Sequence, residues 1–525
     1  RKVVPLVAGD KDAVWRAAFN VVCDFAAEVS MPGREAERAA VAGYVMQLVS
    51  PEQPGAVKVR GLRLLSLAVP PGYDVAPIAV LLGDETLREK ARECLQEMGT
   101  PEARTALRAA VKRSPPAFQC ALLEALAQLK DAESLPLAAE LTGGDDAHVR
   151  AAAALALAWT GDPRHLAIVR KVANTADDAT RADAADALLR LLDAMAVRGG
   201  NWQIVVSTYL ELLPKTQGVY QDAVLAGLGR VGDGTCVRPV LDAIRQAENP
   251  TRLVGIDALR SMQGVDVTRE LVEAYPRLDA AMQLALIPVL GEKKHGLTMP
   301  ILKEAAASAK PEFRMAAISA LGVSGRADGI DPLVAAARGG SAEEKALAPA
   351  ALLQVADALR AGHQAKDAGK AYLAAYMAAG GNIDIQRQAL GGIAACAIPE
   401  AYEVVTAAAA EKELREPAIP ALLAVAGALA GAKQNDKALQ AYETLRGLHP
   451  PMDVMKSVAM GMHAIGAGVN LPGLLGTITQ WWVVGPFELG EQNKGWETPY
   501  IGEPGVSLSA RYMSGKTRVS WNKVV

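Results

Sequence analysis

The chain has 525 residues, 51% of them hydrophobic but only 4% aromatic, so it can bury a large core built mainly from Ala, Leu and Val. Its 55 basic and 58 acidic residues give a net charge of −3, which argues against nucleic acid or an anionic membrane surface as the partner. No apolar run reaches the roughly 20 residues that a membrane-spanning helix needs. The five cysteines lie far apart and are interpreted as small core residues.

The first 83 residues predict a group of helical hairpins. Apolar residues recur at helical spacing over Ala13–Glu28 and again over Glu35–Val49, with a Pro-Gly pair between the two segments. The sequence Ser-Pro-Glu-Gln at residues 50–53 has the form of a capping box with proline at the first helical position. It predicts that a further helix begins there.

Residues 143–174 predict a single helical hairpin of about 30 residues. Asp145 and Asp146 can cap its first helix, because their side-chain oxygens can accept hydrogen bonds from unpaired backbone amides. Gly161 ends that helix, and Pro163 stands at the first position of a second one. This hairpin sets the pattern for most of the chain.

The hairpin repeats between residues 84 and 467. First helices end every 31 residues, at Gly99, Lys130 and Gly161. Similar endings follow at Gly232, Gly264, Gly291 and Gly325. A period of this length is typical of an α-solenoid, in which each hairpin buries its apolar face against its neighbours. We therefore predict an all-α solenoid of about 12–14 stacked hairpins, followed by a short C-terminal β segment.

The repeated sequence resembles HEAT repeats, in particular the short PBS-lyase HEAT-like kind. Two close copies of that pattern are DAHVRAAAAL at residues 146–155 and PEFRMAAISAL at residues 311–321. Residues 435–445 are more similar to the second helix of a tetratricopeptide (TPR) unit, and residues 367–376 are a weaker example. The resemblance covers roughly residues 80–470 and implies an architecture rather than a particular partner.

The composition changes after the helical region. Residues 468–477 are rich in Gly and predict a linker, and residues 477–484 are β-branched and aromatic, which favours a strand. Residues 506–513 and 517–525 predict two further strands joined by a tight turn.

The sequence Trp-Val-Val-Gly-Pro-Phe at residues 482–487 is similar to the start of a galactose-binding-like β-sandwich. That module follows HEAT arrays in large multidomain bacterial proteins. Since residues 478–525 would form only part of such a sandwich, which usually needs about 100 residues, we expect the native polypeptide to continue beyond Val525. An intact mass of 55.0 kDa for unproteolysed native protein would contradict this expectation.

Two glycine-rich motifs resemble the sequence patterns of nucleotide-binding sites. GLGRVG at residues 227–232 matches the dinucleotide fingerprint, but a helix of the repeat precedes it where a strand is required, so we interpret it as a tight interhelical turn. ARYMSGKT at residues 510–517 resembles a phosphate-binding loop, but the alternating residues after it favour a hairpin over the helix that such a loop opens. We predict no cofactor.

The positions of the histidines and acidic pairs do not favour a metal site or a catalytic site. The six histidines, dispersed at predicted helix ends and turns, are interpreted as surface or capping residues rather than metal ligands: His148, His165, His295, His363, His449 and His463. Asp145–Asp146 and Asp177–Asp178 stand at helix starts, where they favour caps over a general acid and base. No catalytic residue and no metal site is predicted.

Four aromatic residues near the C-terminus are the candidate ligand or interdomain contacts: Trp481, Trp482, Trp496 and Tyr500. Consecutive residues of a strand point to opposite faces, so Trp481 and Trp482 can serve different surfaces. An exposed ring could stack on a sugar, although packing in a core or against the solenoid is favoured.

The leading functional hypothesis is a non-enzymatic scaffold that presents an extended solenoid surface to protein partners. One alternative is a docking or regulatory part of a larger enzyme, whose catalytic domain would lie outside this chain. Another is a glycan-binding protein that acts through its C-terminal β module. The resemblance of that module implies the bacterial envelope, the periplasm or secretion, whereas the unpaired cysteines suit a reducing compartment such as the cytoplasm.

Overall fold

The computed structural model describes residues 2–468, 470, 478–487 and 506–524. These residues form 28 α-helices and three β-strands. The chain divides into two compact units, Arg1–Glu270 and Leu271–Val525. The predicted all-α solenoid with a short C-terminal β segment is confirmed.

The first unit consists of helical hairpins arranged in two layers. Its helices are α1 (Val4–Val7), α2 (Asp12–Val29), α3 (Glu35–Met46), α4 (Gly55–Ala68), α5 (Ala76–Leu81), α6 (Arg88–Met98), α7 (Pro101–Val111), α8 (Pro116–Gln128), α9 (Leu135–Leu141), α10 (Ala147–Ala158), α11 (Leu166–Thr175), α12 (Arg181–Arg198), α13 (Trp202–Leu212), α14 (Val219–Val231), α15 (Gly234–Gln246) and α16 (Asn249–Ser261). Each even-numbered helix from α2 to α14 packs against the next even-numbered helix. We call the even-numbered helices the first helices and the odd-numbered ones the second helices.

The second unit repeats the arrangement. It contains α18 (Ala280–Glu292), α19 (Met299–Ala306), α20 (Pro311–Ser324), α21 (Ile330–Gly339), α22 (Ala342–Ala361), α23 (Ala365–Ala378), α24 (Ile383–Cys396), α25 (Tyr402–Ala410), α26 (Arg415–Gly431), α27 (Asn435–Gly447) and α28 (Met452–Ala464), while α17 (Val265–Ala274) spans the boundary between the units. First helices from α18 to α28 pack on one another in order, and so do the second helices α19, α21 and α23. Helix–helix burial of Ala, Leu and Val therefore forms the core of each unit.

The 31-residue period corresponds to one backbone geometry at the end of the first helix. Gly99, Lys130 and Gly161 all adopt the left-handed conformation, with φ of +60°, +50° and +58°. At Gly161 an added Cβ would lie 2.6 Å from the carbonyl oxygen of Ala194 in α12. Glycine at this position therefore allows the next first helix to approach closely.

The arginine of the repeated sequence pattern links neighbouring hairpins. Arg150, in the first turn of α10, donates from Nη1 to the carbonyls of Gly144 (3.0 Å) and Asp145 (2.7 Å), which follow the preceding second helix. Arg314 in α20 makes the same contacts with the carbonyls of Ser308 (2.9 Å) and Ala309 (3.0 Å). These carbonyls lie in the loops after α9 and α19, so each arginine fixes the connection between one hairpin and the next through charge-assisted hydrogen bonds.

The predicted capping box at residues 50–53 is wrong. These residues form a turn, and α4 begins at Gly55, with Pro54 in the N-cap position. Proline disfavours the helical conformation in the residue that precedes it. Gln53 therefore cannot belong to a helix that continues through Pro54. A capping box does occur elsewhere, between Ser341 and Glu344 at the start of α22.

The C-terminal strands are β1 (Trp481–Val484), β2 (Arg511–Ser514) and β3 (Thr517–Val524). They form an antiparallel sheet in the order β1-β3-β2. Gly515, with φ of +58°, occupies the turn between β2 and β3. β2 and β3 form the predicted hairpin, but residues 506–510, predicted as part of its first strand, are coil and turn. The predicted linker at 468–477 lies outside the described residues except for 468 and 470. The sandwich remains a prediction.

Candidate interaction surface

Ion pairs join consecutive second helices across their exposed surface. Arg108 of α7 contacts both carboxylate oxygens of Asp131 through Nη1, each at 2.8 Å, and its Nη2 lies 2.7 Å from Glu133. Further along the same helix, Lys112 Nζ lies 2.8 Å from Glu140 of α9. Since Asp131 is only 3% exposed, its pairing with Arg108 avoids the large cost of an unpaired buried charge.

Arg108, Asp131 and Glu133 border an open groove of about 510 Å³, which we call the first groove. Arg104 and Thr105 line it from α7, and Lys130, Asp131 and Glu133 line it from the start of the next second-helix segment. Arg104 donates from Nε to the carbonyl of Gly99 (3.0 Å), while its Nη1 is 4.0 Å from Asp131. Arginine carries five N–H donors, so Arg104 retains donors for a ligand in the groove.

A second groove, of about 440 Å³, lies between α15 and α17. Arg238 Nε lies 2.9 Å from Glu270. This ion pair links α15 to α17, as the ion pair of Arg108 and Asp131 links α7 to the segment before α9. Asp266 accepts a hydrogen bond from the backbone amide of Gly234 at 2.7 Å. That amide holds the pKa of Asp266 below its usual range, so this carboxylate stays ionised near neutral pH.

The two grooves share one arrangement of residue types. In each, a threonine and an arginine come from one second helix, and acidic residues with a further cation come from the following segment. The further cations are Lys130 and Arg269. The repeat therefore places similar polar clefts on the same layer of the first unit.

Residues 109–189 match the family model of HEAT repeats. This segment includes the hairpin of residues 143–174 and Arg150, whose contacts with the preceding helix end are described above. The first groove begins at Gly99 and extends into this HEAT segment. A search of curated protein sequences gives no significant match.

Three solved structures illustrate the distant likeness of this chain to known folds. Human deoxyhypusine hydroxylase in complex with glycerol shares 19% identity over 62% of this chain and 99% of its own, with a TM-score of 0.21. Kap121p bound to RanGTP shares 12% identity over 99% of this chain and 62% of its own, with a TM-score of 0.46. Yeast importin-beta (Kap95p) shares 11% identity over 88% and 67%, with a TM-score of 0.38. At these identities the likeness concerns the fold alone, and the chain spans about 62% of the length of Kap121p.

A tyrosine cluster that the sequence did not reveal joins second helix α13 to first helices α12 and α14. Tyr209 of α13 packs its ring over Gly227 of α14, and its hydroxyl donates to Asp193 of α12 at 2.5 Å. Arg230 pairs with the same carboxylate. Burial, reinforced by Asp193, raises the pKa of Tyr209, which favours the neutral hydroxyl that donates to this carboxylate.

The second unit contains a related cluster. Tyr372 of α23 packs over Gly392 of α24, donates its hydroxyl to Asp357 and accepts a hydrogen bond from Arg360 Nε at 3.0 Å. Burial and Asp357 raise the pKa of Tyr372 to about 12. Both clusters join neighbouring helices, and the sequence signal for them is a tyrosine followed 18 or 20 residues later by glycine.

The candidate aromatic residues lie apart from these grooves and clusters. Trp481 and Trp482 stand on opposite faces of β1, opposite Val524 and Lys523 of β3, and they are 57% and 46% exposed. Whether these two rings serve as ligand or interdomain contacts remains a prediction. Trp496 and Tyr500 lie outside those residues.

Neither glycine-rich motif forms a nucleotide loop. Gly227 and Gly229 lie inside α14, where added Cβ atoms would come within 2.5 Å of Tyr209 and 2.9 Å of Ala258. The predicted interhelical turn is therefore wrong at these two positions, because the glycines permit close helix packing. Residues 511–514 and 517–524 form the predicted hairpin.

The first acidic pair supplies a helix cap, since Asp146 accepts a hydrogen bond from the amide of Val149 at 3.0 Å at the start of α10. In the second pair, Asp177 accepts a hydrogen bond from the amide of Thr180 at 3.0 Å within the turn before α12, whose start has no side-chain cap. In the part of the chain that the structure describes, no three His, Cys, Asp or Glu side chains are grouped to hold a metal ion. Nor is any described helix long and apolar enough to cross a bilayer.

Proposed function

We propose that the protein is a non-enzymatic scaffold that binds protein partners through the second-helix layer of its first unit. The observation that carries this proposal is the recurrence of one groove type at two places in that layer. Arginine is enriched where proteins bind one another, and repeated polar clefts suit an extended polypeptide that contacts several units.

Site-specific photocrosslinking in native extract tests this proposal. A photoreactive amino acid replaces the exposed Thr105 of the first groove or the exposed Thr235 of the second groove, with the exposed Glu124 of first helix α8 as the matched control. We expect the same partner polypeptide to be captured from Thr105 and Thr235, and not from Glu124. Capture from Glu124 alone, or equally from all three positions, would contradict the proposal.

Glycan binding through the C-terminal sheet is a second candidate, favoured by the exposure of Trp481 and Trp482. An exposed indole presents a flat face on which a sugar ring can stack. Glycan-array binding by the full chain should be lost in Trp481→Ala or Trp482→Ala, whereas Val483→Ala on the same strand should retain it. No binding by the unmodified chain, or equal binding by all three variants, would remove this candidate.

A further inference from the structure

The acidic side chains of the first groove already have a cation. Arg108 contacts Asp131 at 2.8 Å and Glu133 at 2.7 Å, so one guanidinium holds both carboxylates that line the groove. Asp131 is also buried, whereas the side chain of Glu133 is 77% exposed at the rim. The carboxylates therefore need no further partner from outside the chain.

Two cations of the same groove lack a close carboxylate. Arg104 donates from Nε to the carbonyl of Gly99, and its one ion pair in the described part of the chain is a contact of 4.0 Å with Asp131. That carboxylate already accepts two hydrogen bonds from Arg108. Lys130 is exposed, and among the described residues its ammonium makes no ion pair and no hydrogen bond. The groove therefore has two cations with donors for a ligand.

The charges next to the groove leave the same surplus. Residues 101–113 and 130–141, which form its two sides, contain five basic and four acidic residues. Beyond the groove, Lys112 pairs with Glu140 at 2.8 Å, and Arg113 donates from Nε to a backbone carbonyl at 3.2 Å. The basic excess of these two segments therefore lies at the groove itself, where Arg104 and Lys130 stand.

We infer that the first groove binds an acidic segment of a protein partner, whose Asp or Glu side chains pair with Arg104 and Lys130. Arginine suits this ligand because two of its parallel N–H donors can contact both oxygens of one carboxylate. Glu133 opposes the ligand, since like charges repel. A polyanion such as nucleic acid would also meet the net charge of −3 of the whole chain. This inference rests on the proposed function and names the chemistry of the partner at one groove.

Fluorescence anisotropy with the full chain, in about 0.1 M salt, tests the charge of the ligand. The probe is a labelled peptide of alternating Glu and Ser, about nine residues long, which spans about 30 Å when extended. Its charge control has Lys in place of Glu. Arg104→Gln and Lys130→Gln each remove one cation, and Glu133→Gln removes the opposing carboxylate.

Arg113→Gln is the matched control, because Arg113 is exposed and lies outside the groove. It follows Arg104 by nine residues, about 14 Å at the helical rise, which exceeds the Debye length of about 10 Å at this salt concentration. The control therefore makes the same change of charge on the same segment without altering the groove.

We expect the Glu peptide to bind more tightly than the Lys peptide. Arg104→Gln and Lys130→Gln should each weaken its binding by about two- to fivefold, as for the loss of an exposed ion pair, whereas Arg113→Gln leaves it unchanged. Glu133→Gln should strengthen binding, a gain that a damaged fold would not produce. Absent binding, tighter binding of the Lys peptide or of a single-stranded oligonucleotide, or unchanged affinity in both cation variants would overturn the inference.

Photocrosslinking from Thr105 separates this inference from the proposed function. Mass spectrometry should identify a captured segment rich in Asp or Glu, and Arg104→Gln should lower the yield of that segment. Capture of a basic or uncharged segment would overturn the acidic ligand and leave the scaffold function standing. No capture from Thr105 would remove both.

Discussion

Two adjacent glycines in α24 should respond in opposite ways to alanine. Gly392 is buried, and an added Cβ would overlap the ring of Tyr372. Gly391 is exposed, and nothing lies within 4 Å of its added Cβ. The two substitutions make the same chemical change in the same helix, so packing against Tyr372 is the main difference between them.

The expected magnitudes follow from these surroundings. Gly391→Ala should stabilise the second unit by about 0.5–1 kcal/mol, because alanine loses less backbone entropy than glycine on entering a helix. At Gly392 the ring of Tyr372 must retreat by about 1 Å to restore van der Waals contact, and such overpacking costs about 1–3 kcal/mol. After the helical gain is subtracted, Gly392→Ala should destabilise by about 1–2 kcal/mol.

Hydrogen exchange read by mass spectrometry suits this comparison, because repeat arrays open locally and need not unfold in one step. Peptides covering α23 and α24 should exchange faster in Gly392→Ala and more slowly in Gly391→Ala. In a Tyr372→Leu background, Gly392→Ala should lose most of its cost. Equal protection in the two alanine variants, or an unchanged cost without the tyrosine ring, would refute the packing argument.

Two further predictions concern the second unit. Glu344 is 3% exposed and accepts hydrogen bonds from Arg314 at 2.8 Å, so Glu344→Ala should lower the free energy of urea unfolding by about 2 kcal/mol. Glu343 is exposed, so Glu343→Ala should change that free energy by less than about 0.5 kcal/mol. Equal effects of the two substitutions would show that the buried pair contributes nothing to stability. The pKa of Tyr372 is raised from 10.0 to about 12, so its stabilising effect is complete below pH 10 and is lost as the pH rises toward 12, because only the unfolded state ionises in that interval. Phenolate absorbance should show several late-titrating tyrosines, because burial also raises the pKa of Tyr209 and Tyr275, and Tyr372→Phe should remove one tyrosine from that late group. Loss of absorbance near pH 10 in Tyr372→Phe, with the late group unchanged, would contradict the assignment.

The fold could be predicted because one geometry recurs at one period. The 31-residue spacing of Gly99, Lys130 and Gly161 marks a left-handed residue after α6, α8 and α10, and that spacing is visible in the sequence. Two later predicted endings differ, because Gly232 is extended and Gly291 lies inside α18. The start of an individual helix was harder to predict, because neighbouring sequence signals can favour different starting residues. A favourable capping sequence at residues 50–53 yields to Pro54, which prevents the helix from starting earlier.

The grooves could not be assembled from short motifs, because their parts come from different hairpins. Arg108 pairs with Asp131, 23 residues away, and Arg238 pairs with Glu270, 32 residues away. Opposite charges separated by about one repeat are the available signal, yet many such pairs occur in a chain with this many charged residues. The glycines of residues 227–232 show the same limit, since their role depends on Tyr209 and Ala258 of other helices.

The contacts of Arg314 have a consequence for how such an array can change length. This side chain contacts the loop after the preceding second helix, at Ser308 and Ala309, and Glu344 in the following hairpin. Arg150 presents the same kind of contact to the preceding helix end in the other unit. If a whole hairpin were gained or lost between two such arginines, the arginine at the new junction would still find backbone carbonyls to accept its hydrogen bonds. Duplication or deletion of whole hairpins can therefore lengthen or shorten the protein while this contact is kept.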